Sequence, residues 1–186
     1  MAILSGPQWT QSFPGSSSLL DLKFPFDAAA NAFISALKIA GATVNISATL
    51  RPPERAWLMH WAWMIARDRI SPERVPINPG IDINWVHETP QRSRQAAIAM
   101  VDAYGMQRLH VAPALRSRHT EGHAIDMNIN WYHNLKIKNN WGEYIIIQSV
   151  PRDGMNNELA QVGKTYGVIK YHGGFSDAPH WSIDGR

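Results

Sequence analysis

The chain has 186 residues, 45% apolar and 18% charged, with eight tryptophans, a composition that suits one compact domain with a sizeable core. It contains no cysteine, which excludes disulfides, thiolate nucleophiles and cysteine-based zinc sites; a transition metal would need His, Asp or Glu ligands. A net charge of +3 and a pI near 9.3 fit an acidic polymer such as nucleic acid or bacterial wall. The lysines and arginines are scattered, however, without the basic stripe of a nucleic-acid binder, so no nucleic-acid partner is expected. No run of about 18 apolar residues occurs, so no transmembrane helix is expected. The start lacks a basic stretch and a long apolar run, so synthesis in the cytoplasm without a signal peptide is expected.

Residues 1–18, rich in Ser, Gly and Pro, read as an N-terminal arm, and 19–186 read as a single domain. Asp27 is placed to cap a helix whose apolar residues Ala30, Phe33, Ile34 and Leu37 recur at helical spacing up to Gly41. "TVNISATL" alternates as a half-buried strand and is stopped by "RPPE". A second helix follows, with Trp57, Leu58, Trp61 and Ile65 along one face and Trp63 also assigned to the core. The four prolines of residues 70–90 predict mostly loop. Thr89-Pro90 opens a third helix that Gly105 closes. Leu109–Val111 reads as a short strand. Strand pattern resumes at His123 and runs to Asn130, and "LKIKNNWGEYIIIQS" reads as a hairpin around Asn139–Gly142. A helix over Asn156–Tyr166 ending at Gly167, then the strands "VIK" and "HWSID", complete an α+β order.

The segment "SRHTEGHAID" carries two histidines, a glutamate and an aspartate in ten positions. On a strand, Ala124, Asp126, Asn128 and Asn130 share a polar face, while His123, Ile125, Met127 and Ile129 share a mostly apolar one. Asp126 then faces water, and His119 can swing back over it to share a cation. A helical His119/His123 pair is disfavoured, because the metalloprotease helix needs Glu after its first His and this chain has Thr120. Gly122 further weakens such a helix by about 1 kcal/mol relative to alanine. A third ligand is available in "GGFSDAPHW", where His180 follows Asp177 by three positions. On residue pattern alone, that segment reads more readily as a surface turn.

Ser117-x-His119-x-x-Gly122-x-Ala124-x-Asp126, followed by Asp177-x-x-His180, resembles the zinc peptidases of the D-alanyl-D-alanine carboxypeptidase and phage L-alanyl-D-glutamate endopeptidase group (peptidase M15-like). "GGFSDAPHW" is similar to the closing segment of the endolysin branch, and "ISATLRPPE" to the strand and turn that present a substrate-binding arginine. The resemblance spans roughly residues 43–183. It implies a hedgehog/D,D-peptidase-like fold over 19–186, a small antiparallel sheet with helices packed around it and the zinc on its open face. It implies one Zn2+ per chain held by His119, Asp126 and His180, with Asp177 as general base. It also implies that Arg51 grips a substrate carboxylate or carbonyl and that Ser117 supports the site or touches substrate. Two features depart from the group: Thr49-Leu50 precedes the arginine, and the stretch Trp131–Val150 is longer than expected.

The function so implied is zinc-dependent hydrolysis of peptidoglycan stem peptides by a monomer, foremost as an L-alanyl-D-glutamate endopeptidase. The enzyme would act in the periplasm or cell wall after release as a lysin or delivery as an effector. Action on the D-alanyl end as a carboxypeptidase or dipeptidase is the alternative, and a catalytically inactive, zinc-containing wall-binding module is the alternative of another class. Among the other histidines, His123 is assigned to the core face, His133 and His172 are placed to approach the cleft, and His60, His87 and His110 are packing or surface residues. Glu121 is a solvated neighbour and the second candidate for the base.

Overall fold

A computed structural model describes residues 2–186. In chain order its strands and helices are β1 (Ile3–Leu4), α1 (Phe26–Ile39), β2 (Thr43–Ala48), α2 (Pro53–Ala66), β3 (Ile83–Asn84), α3 (Pro90–Ala103) and α4 (Arg118–Glu121). There follow β4 (Ala124–Asn130), β5 (Leu135–Lys138), β6 (Tyr144–Ile147), α5 (Asn157–Tyr166), β7 (Ile169–Lys170) and β8 (His180–Ser182). Helices and strands thus mix along the chain, as expected for α+β. The residues separate into two compact units, one of 1–14 with 52–116 and one of 15–51 with 117–186.

The second unit is built on a four-stranded antiparallel sheet in the order β2-β4-β8-β7. Alternation along β4 sends Ile125, Met127 and Ile129 into the core, where they meet Phe33 and Leu37 of α1, Leu159 and Val162 of α5, and Trp181 of β8. Gly163 of α5 is needed for this contact. A Cβ there would stand 2.8 Å from the Val168 oxygen and 2.9 Å from the Trp181 ring. The β5–β6 hairpin adds Leu135, Ile137 and Ile147 to the same core. Helix α1 begins at Phe26 after Pro25, so Asp27 is not the residue before the helix. It lies inside the first turn, where its Oδ1 accepts from the Ala28 N–H at 2.7 Å.

The first unit packs α2 against α3 around Leu58, Ala62, Trp63, Ala97 and Met100. Thr89 caps α3 by accepting from the Arg92 N–H, with Pro90 in the first turn. Trp63 is buried, whereas Trp57 and Trp61 are half-buried on the flank of the helix. The N-terminal segment is structured here: β1 pairs with β3 in parallel, and Trp9 is buried in this core. Leu109–Val111 forms no strand. Its three residues have no pairing partner, and Leu109 and Val111 are exposed. No helix among the described residues is long and apolar enough to cross a membrane.

Candidate metal centre

Asp126 sits mid-sheet on the face of β4 opposite the core, directly between Ala48 of β2 and His180 of β8. Sheet register therefore sets the distance between two of the three ligand candidates. His119 arrives from α4, a single turn that ends at Gly122 with φ 74. Any other residue there would be strained, and its Cβ would stand 2.6 Å from Lys23 Cγ and 3.3 Å from the Asp21 oxygen. That close approach brings His119 back over the strand that follows.

The three side chains converge. His119 Nε2, Asp126 Oδ1 and His180 Nδ1 form a triangle with every side 3.1 Å, and both imidazoles are buried. Among the described residues this is the one group of three such side chains with metal-ligating geometry. The other ring nitrogens fix the tautomers. His119 Nδ1 lies 2.7 Å from the Thr49 main-chain oxygen, and His180 Nε2 lies 3.1 Å from that of Arg186. A carbonyl oxygen only accepts, so each of those nitrogens carries its proton. The inner nitrogens therefore face each other and a carboxylate oxygen, a centre that a shared proton or a metal cation can fill. A tetrahedral zinc site with ligands at about 2.0–2.1 Å has edges of roughly 3.3 Å, close to this triangle. The donor set of two imidazoles and one carboxylate fits such a metal.

Burial pushes the Asp126 carboxyl up, but the two imidazoles against it more than reverse that and hold it well below the usual carboxylate range. The second carboxylate is Asp177, which ends a 3-10 turn over Gly174–Asp177. Its Oδ2 stands 3.8 Å from His180 Nδ1, and its side chain is half-exposed. Burial, then the neighbouring Asp126 charge, raises its pKa. Lys170 braces this segment from β7: its Nζ donates to the main-chain oxygens of Ala178 and His180 and lies 5.0 Å from the Trp181 ring centre. Burial pushes this amine down to about 8.

Of the other expected residues, Arg51 is tied to the site through its main chain, its N–H donating to the His119 oxygen at 3.1 Å. Ser117 precedes α4; its N–H donates to Thr120 Oγ1, and its hydroxyl is buried without a hydrogen-bond partner. Glu121 pairs with Arg118, whose guanidinium also forks onto Asp184. His123 is only partly buried and lies outside the triad. His133 is exposed, and His172 Nε2 bonds to the Asp184 oxygen instead of entering the centre.

Supports that residue pattern did not reveal are mostly main-chain groups. The Thr49 oxygen is held in place because the Thr49 hydroxyl donates to the oxygens of Ser16 and Ser18, and its N–H to Ser16. The Arg186 oxygen is presented by a tight turn in which Ser182 Oγ accepts from the N–H groups of Gly185 and Arg186. Neither a carbonyl nor a turn of this kind has a residue signature at a distance in sequence. No protein-family model matches this sequence, and no curated protein matches it.

Proposed function

We propose that the protein is a zinc-dependent peptidase acting on peptidoglycan stem peptides, cleaving between L-alanine and D-glutamate. The observation that carries this reading is the triangle of His119, Asp126 and His180 ligand atoms, with the Asp177 carboxylate 3.8 Å from one corner. Zinc held there would polarise a peptide carbonyl and acidify a water molecule. Asp177 takes the proton of the attacking water and returns it to the leaving amine, the work of a general base and then a general acid. Its half-exposed position leaves it open to solvent and substrate. Thr49 and Arg186 keep the imidazole lone pairs turned inward through their main-chain oxygens. Arg51 orients the peptide by its planar fork, which suits a carboxylate or carbonyl. The sequence motif around Ser117–Asp126 and the Asp177–His180 pair support the choice of substrate class by resemblance.

The test is digestion of purified wall peptides by zinc-loaded protein, with the new termini identified by mass spectrometry. New amino-terminal D-glutamyl and carboxy-terminal L-alanyl ends are expected. Release of D-alanine alone would shift the reading to a carboxypeptidase, and intact peptides would leave a non-catalytic wall-binding module.

A further inference from the structure

The unit of residues 1–14 and 52–116 takes no part in the metal centre, yet its charge is unusual in kind. Its strong cations are all arginine, with no lysine between Pro52 and Arg116. Along the sequence these arginines are scattered; in the fold five of them line two adjoining open basins. One basin, of about 530 Å³, is lined by Arg69, Arg74 and Arg94. The other, of about 370 Å³, is lined by Arg67, Arg69, Arg108 and His110, so Arg69 stands at the junction. The one carboxylate among the lining residues is Asp68, whose Oδ2 lies 2.8 Å from Arg94 Nε.

The local backbone holds the junction in place. Asp68 has φ 53, a left-handed conformation that aspartate tolerates, and it closes α2 with its N–H on the Ile65 oxygen. The Arg69 N–H then returns to the Met64 oxygen at 2.8 Å. Arg67 is fixed by its Nη2, which donates to the Gln107 oxygen at 2.8 Å. Arg69, Arg74 and Arg108 are exposed and, among the described residues, make no side-chain ion pair or hydrogen bond. Three unneutralised guanidinium groups beside two restrained ones form a surface complementary to an anion with several charges in a row.

We infer that this unit binds a polyol-phosphate polymer of the cell wall, its successive phosphodiesters lying in the two basins with one phosphate on Arg69. Arginine in place of lysine favours the planar, two-pronged contact that phosphate oxygens accept. Nucleic acid shares the phosphate chemistry, and proteins that hold its single strands add open aromatic faces on which the bases stack. The only aromatic ring lining either basin besides His110 is Trp63, which is 6% exposed and has Arg67 5.9 Å from its ring centre. The choice of a wall polymer rests on the peptidase reading; the phosphate chemistry does not.

The test is a binding titration of the full zinc-loaded chain with poly(glycerol phosphate), at low and moderate salt. A single-stranded DNA of equal phosphate count is titrated in parallel. Saturable binding to the polymer is expected, weakening roughly 20- to 40-fold between 50 and 200 mM salt as for a contact with about three phosphates. Arg69→Ala and Arg74→Ala should each weaken it several-fold, and Arg69→Lys should recover only part of the loss. Cleavage of a soluble stem peptide should stay at the parent rate in all three variants, which separates this inference from the peptidase reading. No binding to the polymer at low salt, parental affinity in both alanine variants, or tighter binding to the DNA would each overturn it.

Discussion

The main-chain oxygen of Thr49 lies 2.7 Å from Nδ1 of His119, a residue seventy positions further along the chain. This one bond fixes the imidazole tautomer, and the Thr49 hydroxyl fixes the carbonyl through Ser16 and Ser18. Thr49→Val keeps the buried shape and removes the hydroxyl. It should cost about 1 kcal/mol in chemical denaturation, the net weight of a hydrogen bond. Because oriented ligands bind metal better, it should also weaken zinc affinity about tenfold in a chelator competition. Thr49→Ser should remain near the parent in both measurements.

Metal should stabilise the fold, because its ligands come from three separate segments, α4, β4 and β8. Zinc at about a hundredfold excess over its dissociation constant adds roughly 2.7 kcal/mol. Thermal unfolding of the parent should shift upward with zinc and downward with a chelator. In His119→Ala and His180→Ala the midpoint should no longer respond to zinc.

Asp177→Asn should keep zinc and fold yet lose on the order of 10²–10⁴-fold in turnover of wall peptide, the usual weight of a general base. Glu121→Ala should lose little, since the Glu121 carboxylate is committed to Arg118. A larger loss for Glu121→Ala than for Asp177→Asn would reverse the assignment.

Zinc affinity should rise with pH. Burial lowers the His180 pKa, but the Asp126 carboxylate more than reverses this, so the metal-free ring holds its second proton above the usual histidine range. Zinc needs the Nδ1 lone pair and must displace that proton. Below this raised pKa, affinity should therefore climb about tenfold per pH unit, and it should level off above it. Calorimetric titrations in buffers of different ionisation enthalpy would count the proton released.

Arg51→Lys keeps the charge but loses the fork, so kcat/KM should fall clearly, and further for Arg51→Ala, with zinc content unchanged in both. A hydrogen bond to a charged group is worth roughly 1.5–3 kcal/mol, or about 10–150-fold in rate. Parental rates in Arg51→Ala would move the substrate grip elsewhere.

The longer elements were legible in the sequence because they repeat. The period along α1 and the alternation through β4 each mark a buried face, the alternation through β2 a half-buried one, and Thr89-Pro90 and Gly167 mark helix ends chemically. The same alternation places Asp126 on the side of β4 away from the core. Short elements lacked this redundancy. β1 and β3 are two residues each and pair across some eighty positions, so no local pattern announces them. Leu109–Val111 offered three alternating residues and no partner strand. The α4 turn is too short for a period, although Ser117 and Gly122 bound it. The carbonyls that orient the imidazoles are invisible in sequence, since every residue has one.

The most direct measurement is anomalous diffraction at the zinc absorption edge from crystals of the zinc-loaded protein. The account predicts one strong peak about 2 Å from each of His119 Nε2, Asp126 Oδ1 and His180 Nδ1. The three atoms now 3.1 Å apart should open only slightly to receive it. A peak placed elsewhere, or a triad still in direct mutual contact at saturating zinc, would contradict it.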